Sequence, residues 1–188
     1  MLGVSRNRVT LDEKMAALVK ELDQLGVRVR PKSSGFHEDL HVLLVLITLG
    51  GQRGYLTDYV TTIGRTIYVP LDWEERPLAD RYATLRHELV HVRQFQRYGL
   101  VLMAIAYLFL PLPIGLAWCR YRLEREAYEE SMRAAFETGG AAALDGIRDH
   151  VIEQFVSPAY AWMWPFRGAV SRWYDDTARA IADAARLG

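Results

Sequence analysis

Near the start of the chain, Met15, Leu18, Leu22 and Leu25 recur at helical spacing and line one face. Thr10 and Glu13 have the spacing of a capping box and Gly26 offers a left-handed stop, so the pattern predicts an amphipathic helix over 11–25. Val27 and Val29 then alternate with Arg28 and Arg30 ahead of Pro31, which predicts a short strand. After Ser33 and Ser34, the apolar run from Val42 to Leu49 closes on Gly50 and Gly51 and reads as a buried helix rather than a strand. Tyr59 to Val69 is rich in β-branched and aromatic residues around Gly64 and Arg65, which predicts a hairpin ended by Pro70. Beyond Pro77 the period becomes helical to about Tyr98, with further helices expected at 100–110, 116–137, 142–156 and 166–186. The expected fold class is α+β, a mostly helical domain with a small antiparallel sheet or hairpin.

Composition narrows the function classes. A chain of 188 residues suits one buried core, so a single domain over 1–188 is expected. Its 23 Lys+Arg balance 23 Asp+Glu, so no global field draws it to nucleic acid, and no nucleic-acid partner is expected. Cys119 is the single cysteine, which excludes an intramolecular disulfide and a thiolate zinc cage and suits a reducing compartment. Met1 to Thr10 is polar and lacks the apolar centre of a signal peptide, so a cytoplasmic location is expected.

Tyr98 to Cys119 carries no charged residue, and its length would span a bilayer. Pro111 and Pro113 break it, leaving an apolar helix of about a dozen residues, too short to cross. Burial in the core is the plainer reading of 98–119, and peripheral membrane contact is the other. Tyr160, Trp162, Trp164 and Phe166 concentrate aromatic surface before the last helix, where core packing is expected and a wall beside the substrate is the sharper alternative.

The candidate chemistry lies at 87–91, which read HELVH. Two histidines four apart leave a helix on one face, one turn above each other, so both imidazoles reach a single metal. Glu88 sits about 100° around the helix, placed to take a proton from a water at that metal. Leu78, Tyr82, Leu85, Leu89 and Val92 fall on the opposite face, so the helix can pack on a core while its histidines line a cleft. Residues 37–41 read HEDLH and match the same letters. There, however, Gly35 puts His37 in a frayed first turn and Asp39 fills an inner position, so that match reads as structural.

HELVH, with Thr84 three residues before its first histidine, resembles the active-site helix of zincin metallopeptidases. The metzincin branch places a glycine and a third histidine where Gln94 and Arg97 stand here, so that branch does not fit. In the gluzincin branch the third ligand is a glutamate on a later helix, commonly within E-x-x-A-D. Glu124-Arg125-Glu126-Ala127-Tyr128 is similar, with Tyr128 where the family has aspartate. The resemblance implies a zincin-like domain, Zn2+ held by His87, His91 and Glu124, catalysis by Glu88, and a peptide or protein substrate. It also makes Tyr128 the stand-in for the aspartate that orients a ligand histidine through an outer hydrogen bond. That departure keeps a second class open: a non-catalytic or membrane-associated zincin-fold module that holds zinc as a structural staple.

Helical phase bears on the third ligand independently. Arg122, Glu126, Glu129, Glu130 and Arg133 share one face with pairs Arg122–Glu126 and Glu129–Arg133, a solvated pattern. Glu124 falls with Tyr121, Ala127, Tyr128 and Ala135, where a carboxylate needs either a metal or an ion pair such as Arg120 would give. His150, Tyr160 and Tyr174 are candidates to stabilise an oxyanion, and the sequence ranks none above the others. The 59–69 hairpin offers an edge strand on which an extended peptide could lie.

Overall fold

A computed structural model describes residues 9–32, 60–108, 116–157, 163–164 and 166–187. The HEDLH motif at 37–41, the helix expected over 42–49, Pro111, Pro113 and Tyr160 lie outside the described residues. In chain order the elements are α1 (Leu11–Gln24), β1 (Arg28–Pro31), β2 (Thr61–Ile63), β3 (Thr66–Val69), a 3-10 turn at Trp73–Glu75, α2 (Leu78–Leu108), α3 (Leu116–Val156) and α4 (Arg167–Leu187). The fold is α+β and mostly helical.

The expected capping box starts α1: the Thr10 hydroxyl accepts from the Glu13 N–H at 3.2 Å, and the Glu13 carboxylate accepts from the Thr10 N–H at 2.7 Å. β2 and β3 form the expected hairpin, with Thr62 opposite Ile67. The sheet is mixed rather than antiparallel, because β1 pairs with β3 in parallel, Val29 opposite Ile67, in the order β1-β3-β2. Parallel neighbours need a crossover connection, and the long stretch between β1 and β2 leaves room for one, a relation that alternation of apolar residues does not encode.

Ile67 and Val69 of β3, Leu18 and Leu22 of α1, and Tyr82, Leu85, Leu89 and Val92 of α2 bury together in one cluster, so the face of α2 opposite the histidines is core as its spacing predicts. A second cluster joins α3 to α4 around Phe155, Met132, Val170 and Tyr174, with Trp173 edge-on to Phe155. Trp164 stacks on Tyr121 at 4.7 Å and Met163 is buried, so this part of the aromatic stretch is core, whereas Phe166 is exposed.

Two glycines explain why helices expected as separate run on as single elements. Gly99 (φ 78°, ψ 162°) kinks α2 and Gly140 (φ 67°, ψ −154°) kinks α3. Both positions sit in a region that L side chains rarely adopt, so glycine permits the turn of the axis without ending the element. Past Gly99, Met103 is buried against Leu123, with Cys119 and Phe95 beside it. Leu100, Val101, Leu102 and Ile105 are exposed, so of the two readings of 98–119, burial in the core does not describe these positions. Among the described residues, no helix is long and apolar enough to cross a membrane.

Candidate metal centre

The site forms where α2 lies along α3. One turn of polar clamps fixes the two helices just before the first histidine: Arg86 donates to Glu130 and, at 2.7 Å, to Glu137, while the Tyr82 hydroxyl donates to Glu137 at 3.1 Å. Lys14 of α1 joins the same carboxylate at 3.2 Å. A partly buried network of this kind holds helix register better than isolated surface pairs do.

Within that frame the Nε2 atoms of His87 and His91 lie 3.1 Å apart, and each is 3.7 Å from Oε2 of Glu124. All three donor atoms fall within 4.8 Å of one another. The far nitrogens have their own partners. His91 Nδ1 lies 2.9 Å from the amide oxygen of Gln94, whose amide nitrogen donates to the Leu123 carbonyl and to Glu126, each at 3.0 Å. Those two acceptors fix the amide's orientation, so His91 Nδ1 carries the proton. His87 Nδ1 lies 3.1 Å from the Ser131 hydroxyl, which donates to the Ala127 carbonyl at 3.4 Å and therefore accepts from the imidazole. Both rings thus turn Nε2 toward the Glu124 carboxylate. Burial, reinforced by His91 and opposed by Glu124, brings the His87 pKa down to about 3, which keeps the ring neutral and ready to act as a ligand. Two imidazoles and a carboxylate converging from two helices form a group that can hold a metal ion.

Glu88 is buried at 6 % exposure beside this group and accepts a 2.7 Å hydrogen bond from the Thr62 hydroxyl of β2. Burial raises its pKa, against the lowering effects of His91, the Thr62 hydrogen bond and Lys32. Lys32 follows β1, its N–H bonded to the Val69 carbonyl at 2.9 Å, and is itself only 5 % exposed. Burial pulls its ammonium down to about 8, while the charge of Glu88 acts the other way. Nothing in the sequence marks Lys32 or Thr62, because their relation to Glu88 exists only once the sheet packs against α2.

The residues expected from sequence are partly regrouped. His87, His91 and Glu124 come together with Glu88 beside them. Tyr128 meets His87 through its ring, edge-on at 4.8 Å, and the oxygen at His87 Nδ1 belongs to Ser131. Ser131 shares the helix face of Glu124, seven positions on, so the 3.6 period could have found it. Glu126 is exposed, but its carboxylate is bound by Gln94, which joins it to the metal group rather than leaving it only to solvent. Tyr174 is buried in the second cluster with its hydroxyl donating to the Leu144 carbonyl at 2.6 Å, and His150 is exposed beside Gln154.

The Lys32 shift has a measurable consequence. The native ammonium titrates near 8 and the ordinary group near 10.5, so between these values the unfolded chain binds more protons and native stability rises with pH. Below about 8 the full burial penalty is present, and by 10.5 it is gone. Urea unfolding of the wild type should therefore gain stability across this window relative to Lys32→Met. Parallel curves for the two proteins would show that the ammonium is not perturbed.

Compared with protein-family models, curated proteins and solved structures, the chain matches none.

Proposed function

We propose that the chain is a zinc-dependent metallopeptidase, zincin-like with a gluzincin type of ligand set, in which His87, His91 and Glu124 hold Zn2+ and Glu88 carries the proton. The observation that carries this reading is the convergence of the two HELVH imidazoles and Glu124 Oε2 on one point, with Glu88 buried beside them. A tetrahedral zinc with bonds of about 2.0–2.1 Å sets its ligand atoms about 3.3 Å apart. The separations here, 3.1, 3.7 and 3.7 Å, bracket that value, so closing the group on the ion needs only small side-chain shifts. Two nitrogens and one carboxylate oxygen also match a catalytic donor set, which leaves a fourth position for water.

A zinc ion held by these residues would supply Lewis acidity and would lower the pKa of a bound water toward neutrality. The protein's own residues do the rest. Glu88 accepts a proton from the attacking water and returns it to the leaving amine nitrogen as the C–N bond breaks. Thr62 ties Oε2 of Glu88, which sets the carboxylate's orientation and leaves Oε1 to carry the proton. Burial raises the basicity of Glu88, and the neighbouring Lys32 limits the rise. β2, whose Thr62 touches Glu88, gives an extended peptide a strand to pair with.

The test begins with metal content. The purified protein should carry about one zinc per chain, lost in His87→Ala and in His91→Ala and kept in His37→Ala and His41→Ala. Hydrolysis of an unfolded protein such as casein should stop with a chelator and return with zinc. Loss of metal through the 37–41 pair would transfer the site to that motif. Full zinc content with no cleavage across a panel of unfolded proteins would favour a structural ion.

A further inference from the structure

We infer that the ends of α2 and α3 around Leu100–Leu102, Ile105 and Trp118 form a docking surface for an anionic lipid bilayer. Leu100 is 59 % exposed, Val101 73 %, Leu102 53 % and Ile105 40 %, and Trp118 on the neighbouring helix is 50 % exposed. Single exposed apolar residues are ordinary, but four of these fall within six positions of one helix. The two helices meet where Met103 packs on Leu123 with Cys119 against them, and the exposed Trp118 is the residue just before Cys119. A helix interior would hide these side chains, and here only Met103 of the segment is fully covered among the described residues.

The chemistry at the margin of the patch decides its occupant. Tyr98 and Trp118 sit at its two ends, and each carries an arginine over its ring, Arg97 at 5.3 Å and Arg122 at 5.6 Å. Aliphatic side chains bordered by Tyr and Trp, and then by arginine, repeat the order of a bilayer's own layers: acyl chain, interface, phosphate. The chain as a whole is neutral, yet from Leu89 to Leu123 it contains no Asp or Glu; Arg93 is paired with Glu21 of α1, and Arg97 and Arg122 are the arginines at the margin of the patch. The two marginal arginines, with no acid on the segment between them, complement the anionic headgroups of phosphatidylserine better than they complement a second copy of the same border. Since no described helix is long and apolar enough to cross, the attachment is peripheral. It rests on no part of the peptidase reading.

The experiment is sedimentation of the intact protein with vesicles of phosphatidylcholine alone and of phosphatidylcholine with phosphatidylserine. The wild type should bind the serine-containing vesicles at least tenfold better than the neutral ones, and added salt should weaken that binding. Val101→Asp with Leu102→Asp changes two exposed positions and should lower binding to anionic vesicles by at least tenfold. Arg97→Gln with Arg122→Gln should remove most of the preference for anionic lipid. Helix content by circular dichroism controls for folding in both variants. Failure of the wild type to bind either vesicle would overturn the inference, and so would binding unchanged by the Val101 and Leu102 substitutions. Sedimentation velocity without lipid covers the remaining case: a dimer that the same aspartates dissociate would assign the face to a second copy.

Discussion

Glu88→Gln should keep its zinc and lose hydrolysis by about 10²–10⁴-fold, the usual contribution of a positioned general base. The two halves of this expectation come from different atoms. The donor group consists of His87, His91 and Glu124, so removing the charge of Glu88 takes no ligand away. Proton transfer depends on the carboxylate alone, because an amide cannot accept and return a proton. Glutamine keeps the size of the side chain and an oxygen to accept from Thr62, so the 2.7 Å contact survives and the variant separates chemistry from folding. Zinc analysis and casein cleavage on the same preparation read both halves. Full activity in Glu88→Gln would remove Glu88 from the mechanism. Parallel loss of metal and activity would instead make it a ligand.

Much of this site was legible in the chain because helices write their faces into the sequence. His87 and His91 at four-residue spacing, with Tyr82, Leu85, Leu89 and Val92 opposite, define both the imidazole face and the core face of α2. The same period puts Glu124 on a buried side of α3, and the side chain is 6 % exposed. Sheet order was not legible, since alternation around Val27 and Val29 gives a strand but not its partner or direction. The outer partners of the histidines were missed for related reasons. Gln94 is three residues past His91 on the same helix, yet its role depends on the Leu123 carbonyl and Glu126 of another element. Ser131 carries no mark of its own in the sequence, and the gluzincin pattern points to position 128, where Tyr128 stands. Lys32 and Thr62 approach Glu88 only through tertiary packing, which no local pattern records.

Removing Glu124 should lower zinc affinity by more than the roughly 10–100-fold that loss of an outer hydrogen bond costs, while Glu126→Ala should lower it about twofold. Two histidines alone leave the ion under-liganded, and Glu124 Oε2 at 3.7 Å from both Nε2 atoms is the carboxylate poised to complete the set. Its neighbour two positions on faces about 200° away, so both cannot enter one coordination sphere. Glu126 nevertheless reaches the site through a chain of contacts, accepting from Gln94, whose amide oxygen meets His91 Nδ1. Without Glu126 the same amide still donates to the Leu123 carbonyl at 3.0 Å, so its orientation toward His91 persists. Gln94→Leu removes the whole link and should fall between the two glutamate variants, at about tenfold or more. The order Glu124→Ala, Gln94→Leu, Glu126→Ala in zinc lost to a fixed chelator concentration is the quantity to measure. If Glu126→Ala loses the metal and Glu124→Ala retains it, the third ligand is misassigned and the likeness of Glu124–Tyr128 to the gluzincin pattern carries no weight. If Gln94→Leu matches the wild type, the His91 tautomer is set by something other than the amide.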